Sequence, residues 1–155
     1  MKKLAIVLFL GMFSMAVQAQ DLKWYDNVDQ ASTIAVKAKK PLLLFFTGSD
    51  WCGWCIKLQK EVMFTPEFKK WANDNVILVE LDYPRSKQLA PEIKQQNAEM
   101  QQMFAVSGYP TVWLVKATET KTNVNFEQLG RTGYVAGGPN AWIQGANQIL
   151  KNYTK

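Results

Sequence analysis

The order of segments in this chain predicts an α/β domain: one mixed sheet with helices on both faces. Three observations carry that expectation. Apolar runs of strand length recur at residues 42–46, 76–81 and 111–115. None of them alternates strictly, so central strands covered on both faces are expected. Stretches with helical periodicity or helix-starting prolines lie before, between and after these runs, and such alternation builds a layered α/β sheet.

Each element can be justified in turn. After a short aromatic start at Trp24 and Tyr25, residues 26–40 read as a helix. Val28, Ala31, Ala35 and Ala38 recur there at three- and four-residue spacing, and Lys37, Lys39 and Lys40 gather at its end, where the helix dipole favours cations. Pro41 stops it and leads into the first buried strand. Thr47-Gly48-Ser49-Asp50 reads as a turn, residues 55–62 as a helix, and Pro66 opens a further helical piece through Trp71. The second buried strand, 76–81, carries an acid, Glu80. Residues 84–103 are polar and glutamine-rich, and Pro91 divides them into a loop and a helix over 91–104. Gly108-Tyr109-Pro110 turns into the third strand, and residues 124–129 alternate well enough for an edge strand. Gly130, Gly133, Gly137 and Gly138 punctuate a loop, after which Pro139 can occupy the first turn of a closing helix to Tyr153.

The first nineteen residues are expected to be a cleaved leader. Met1-Lys2-Lys3 is basic, residues 4–17 are almost wholly apolar, and Val17-Gln18-Ala19 places small residues where a signal peptidase cuts. The apolar run is shorter than the roughly 20 residues that cross a bilayer as a helix. Residues 20–155 then form one domain, exported and working outside the cytoplasm, in a bacterial periplasm. Loss of Lys2 and Lys3 lowers the formal net charge from +5 to +3. The remaining cations are scattered among acids, which is the pattern of a solvated surface and argues against nucleic acid as a partner.

The chain has two cysteines, Cys52 and Cys55, and no histidine. A disulfide across two intervening residues restricts the unfolded chain little, so the pair is expected to serve chemistry rather than stapling. A structural zinc site wants four Cys or His ligands, and a covalent haem site wants a histidine after the second cysteine, where Ile56 stands. No metal and no organic cofactor is expected. At a helix start after a strand, Cys52 meets unpaired N–H groups and a partial positive charge that favour a thiolate. Cys52 is therefore the expected nucleophile, and Cys55, one turn further in, the expected resolving thiol.

Trp51-Cys52-Gly53-Trp54-Cys55 after a buried strand, with Gly108-Tyr109-Pro110-Thr111 before another strand, resembles the thioredoxin family over about residues 24–153. The likeness is greatest to secreted bacterial members in which Asp-Trp-Cys-Gly-Trp-Cys leads into a lysine-rich helix. It implies the thioredoxin fold, a thiol–disulfide oxidoreductase, and a cis Pro110 lying against the cysteine pair, where it leaves nearby backbone free to pair with substrate. Trp51, Gly53, Trp54, Tyr109 and Pro110 become the expected substrate-binding residues, with Trp51 packed and Trp54 exposed. Two departures matter. Gly-Trp stands between the cysteines where thioredoxin has Gly-Pro, and the strand before them is apolar, with Phe45 or Phe46 where thioredoxin has a buried aspartate.

Glu80 offers a substitute carboxylate. On the strand beneath the site, it could exchange a proton with Cys55; alternatively it sits at an exposed strand end or pairs with a lysine such as Lys57. Asp50 is expected to cap the active-site helix. The function expected from these residues is reduction of disulfides in exported proteins, with electrons from a membrane thiol-electron carrier. Oxidation or isomerisation of secreted proteins, or a non-catalytic protein-binding module, remain open at this point, as does the oligomeric state.

Overall fold

The computed structural model describes residues 21–120 and 123–153; the expected leader, residues 1–19, lies outside them. Five strands form one sheet in the order β1-β3-β2-β4-β5. They are β1 (Trp24–Tyr25), β2 (Leu42–Thr47), β3 (Ile77–Asp82), β4 (Thr111–Glu119) and β5 (Val124–Thr132). β1, β3 and β2 run parallel, while β4 lies antiparallel to β2 and β5 antiparallel to β4. The sheet is mixed, in agreement with the apolar runs. All six residues of β2 are buried, as a strand between two helical layers requires. Withdrawing each of its Leu and Phe side chains from water contributes about 1.5–3 kcal/mol.

Helix boundaries follow local chemistry. α1 (Val28–Ala38) starts where the Asn27 side chain accepts the Gln30 N–H, and ends where Lys39 turns left-handed at φ 53°. α3 (Pro66–Asn75) has Thr65 as its cap and Pro66 in its first turn; α4 (Pro91–Met103) also begins at its proline. α5 (Gly138–Leu150) starts after Gly137, whose φ of 108° suits a residue without Cβ. α2 (Gly53–Leu58) begins two residues before the expected 55 and continues as a π-helical turn, Gln59–Met63, where a plain helix was expected.

Side chains alternate across the sheet and divide the interior in two. Leu43, Phe45, Leu78 and Leu114 pack with Cys52, Cys55, Phe68 and Trp142 under α2, α3 and α5. Leu42, Leu44, Phe46, Val79 and Leu81 pack with Ala31, Met100 and Phe104 under α1 and α4. Two elements exceed or escape the sequence reading. β4 and β5 extend to nine residues each and pair as a hairpin, and Trp24 and Tyr25 form an edge strand against Leu78 and Val79.

Candidate active site

The cysteine pair sits where β2 hands over to α2. The chain turns at Gly48, whose carbonyl accepts the N–H groups of Trp51 (3.2 Å) and Cys52 (2.8 Å). Cys52 itself is the helix cap: its backbone is extended and its Sγ accepts the Cys55 N–H at 3.2 Å. This explains the early helix start, and it displaces Asp50 from the expected capping role. Asp50 faces the other way, accepting the N–H groups of Arg85 (3.0 Å) and Ser86 (2.7 Å) and the Ser86 hydroxyl. Those donors hold its carboxyl well below the usual carboxylate range.

Cys52 and Cys55 are joined by a disulfide, their Cα atoms 5.2 Å apart. Cys52 keeps 6 % of its surface exposed and Cys55 none. An incoming sulfur can therefore reach Cys52 alone, while Cys55 faces the apolar interior formed by Leu58, Phe68 and Leu114. The arrangement suits a two-thiol relay with one entry point.

Aromatic residues flank that entry on two sides. Trp51 is half-buried, its indole N–H donating to the Tyr83 carbonyl at 2.8 Å and its ring edge-on to Tyr109 at 5.6 Å. The Arg85 guanidinium lies over the Trp51 ring at 4.0 Å. Tyr109 also packs on Tyr83 and accepts the Gln101 side-chain N–H at 2.9 Å; burial raises its phenol above the usual value. The Tyr109–Pro110 peptide bond is cis. On the other side Trp54 is 57 % exposed, stacked obliquely with Tyr134 at 5.2 Å, and the Lys57 ammonium lies about 5 Å from both rings. Gly53 is exposed, and a Cβ there meets nothing within 4 Å. Gly48 is the glycine the site needs, since a Cβ there would lie 2.4 Å from the Trp51 ring.

Strand register places Glu80 opposite Phe45, on the sheet face that holds the cysteines. Phe45, and not Phe46, therefore occupies that face beneath the pair. Burial, and next the charge of Asp82, raise the Glu80 carboxyl above its ordinary value, and Lys87 opposes them. The cation near Glu80 is Lys87 rather than Lys57, which pairs with Glu61 at 3.9 Å. Sequence reasoning missed Asp82. It accepts the Ser49 N–H (2.8 Å) and hydroxyl (2.7 Å) and pairs with Lys87 at 2.9 Å, tying β3 to the loop that feeds Cys52. An acid closing an apolar strand was the available signal.

Among the described residues no group of three or more Cys, Asp or Glu side chains could hold a metal ion, and no helix is long and apolar enough to cross a membrane.

A dithiol–disulfide pair at a helix start, on a five-stranded mixed sheet, defines a thiol–disulfide oxidoreductase. The chain belongs to the thioredoxin-like family, whose model matches residues 23–117. It is 33 % identical over 135 residues to the disulfide bond reductase DsbH of Chlamydia pneumoniae, covering 87 % of this chain and 76 % of that one. A solved DsbH oxidoreductase superposes with a TM-score of 0.74 at 32 % identity, over 84 % of this chain and 85 % of the other. A thioredoxin from Thermus thermophilus shares the fold, with a TM-score of 0.60 at 16 % identity over 83 % of this chain and 87 % of that one.

Proposed function

We propose that this protein reduces disulfide bonds in exported polypeptides through a Cys52/Cys55 dithiol–disulfide cycle. The Cys52 thiolate attacks one substrate sulfur, forming a mixed disulfide and expelling the other as a thiolate that takes up a proton. Cys55 then gives up its proton and attacks the Cys52 sulfur, so the second substrate sulfur leaves as a thiolate that takes up a proton from water, and the Cys52–Cys55 disulfide remains. Two electrons and two protons pass to the substrate. A donor dithiol must return them, and a membrane thiol-electron carrier has the required chemistry. In this reading the leader, residues 1–19, is removed on export to the periplasm, and Glu80 receives the Cys55 proton. Trp51, Gly53, Trp54, Tyr109 and Pro110 line the docking path of the substrate chain.

The observation that carries the reading is the asymmetry of the pair: Cys52 caps the helix and is open at its edge, whereas Cys55 is wholly buried. The likeness to a protein named a disulfide bond reductase supports the reducing direction.

The test is the redox equilibrium of residues 20–155 against glutathione, read by thiol trapping and mass. A potential near −250 mV or lower fits a reductase that needs recharging. A value near −150 mV points instead to an oxidase or isomerase, and a pair that resists reduction altogether points to a binding module. Cys55→Ala should accumulate a mixed disulfide between Cys52 and substrate; Cys52→Ala should not.

A further inference from the structure

A concavity adjoins the redox site. It lies between the loop 83–89 and one face of α4, with a volume of about 700 Å³, within the usual range for ligand sites. Its floor is built by hydrogen bonds between the two walls. The Tyr83 hydroxyl donates to the Asn97 carbonyl at 2.7 Å, and the buried Asn97 amide donates back to the Asp82 carbonyl at 2.9 Å. Both walls touch the aromatic residues beside Cys52. Arg85 lies over Trp51 from the loop side, and Gln101 holds the Tyr109 hydroxyl from the helix side.

The charge of this groove is one-sided. Arg85, Lys87 and Lys94 line it against one carboxylate, Asp82. Asp82 pairs with Lys87 and accepts the Ser49 donors, while Asp50, which accepts the Arg85 and Ser86 amides, adds its negative charge near Lys87. Among the described residues no carboxylate pairs with Lys94 or Arg85. Those two cations line the groove, and Arg85 also lies over Trp51, the residue before Cys52.

We propose that this groove is a substrate subsite that takes an acidic side chain of the polypeptide whose disulfide is attacked at Cys52. The inference rests on the oxidoreductase reading above and adds a substrate preference to it. An extended chain advances about 3.3 Å per residue, and Arg85 lies over Trp51 beside Cys52, so the acid is placed roughly two to four residues from the substrate cysteine. Each such contact is exposed to solvent, and selectivity of about fivefold, falling with salt, is the scale expected.

The test uses three matched fluorogenic disulfide peptides carrying Glu, Gln or Lys at those flanking positions, with dithiothreitol as electron donor and residues 20–155 as catalyst. The expected order of kcat/KM is Glu above Gln above Lys, with the spread collapsing at 1 M salt. Lys94→Glu, at an exposed helix position, inverts the order. Equal rates for the three peptides overturn the subsite while leaving the oxidoreductase reading intact. A preference that survives Lys94→Glu overturns its assignment to this groove. If no peptide is turned over, and a small aromatic disulfide is not reduced either, the oxidoreductase reading falls and takes the subsite with it.

Discussion

The Asp82 carboxylate, at the end of β3, accepts both the backbone N–H and the hydroxyl of Ser49, 33 residues away in sequence. With the bonds from Arg85 and Ser86 to Asp50, and from the Trp51 indole to the Tyr83 carbonyl, it makes a three-point grip. Three consecutive residues before Cys52 are held by the end of β3 and the loop after it, so the position of Cys52 is set from outside its own helix. Asp82→Ala leaves the Ser49 N–H without its acceptor in a half-buried place. Unfolding in urea should show a loss of about 1–3 kcal/mol, and thiol exchange should slow as Cys52 loses its fixed position.

Gly48→Ala attacks the same loop from the opposite side. A Cβ at residue 48 lies 2.4–2.7 Å from three atoms of the Trp51 ring, which the Tyr83 carbonyl and Arg85 hold in place. The ring has to move, at a cost of about 1–3 kcal/mol. Tryptophan fluorescence of the folded variant should shift to the red as the indole gains water, and denaturant titration should give the stability loss. An unchanged spectrum with unchanged stability contradicts the contact.

Much of this architecture is legible in the sequence, and the exceptions share a cause. The apolar runs of β2 and β3 announce buried strands because both faces are covered, and Pro66 and Pro91 announce helix starts because proline lacks a donor the first turn does not need. Trp24–Tyr25 is too short for any period, and its strand identity exists only through Leu78 and Val79. Which of Phe45 and Phe46 faces the cysteines depends on sheet parity, which the register with Glu80 supplies. Asp50 looked like a cap by proximity alone. Its partners, like the Ser49 partner of Asp82, come from a segment more than thirty residues away, and no local spacing reports such contacts.

The grip at Asp50 predicts a protease signature. Arg85 and Lys87 are trypsin sites on an exposed loop, and the Asp50 carboxylate fixes the backbone N–H groups of Arg85 and Ser86. Asp50→Ala releases that backbone and should speed tryptic cleavage after Arg85 by severalfold, read by mass. Cleavage at exposed lysines elsewhere, such as Lys151, should keep its rate. An equal change at all sites signals global destabilisation instead.

Glu80 predicts a pH dependence with a definite sign. Burial, then the charge of Asp82, raise its carboxyl above the ordinary 4.5, and Lys87 only partly offsets them. Between the unfolded and folded values the folded protein binds the extra proton, so stability falls as pH rises through that window and is level below it. Glu80→Gln carries no such loss. The stability difference, variant minus wild type, should therefore be larger near pH 7.5 than near pH 4, as urea titrations at the two values can measure. The same variant tests the proton role. If Glu80 takes the Cys55 proton, the pH profile of thiol exchange between about 6 and 9 changes shape in Glu80→Gln. A stability shift of the stated sign with an unaltered profile leaves Glu80 as a buried carboxylate that the chemistry does not use.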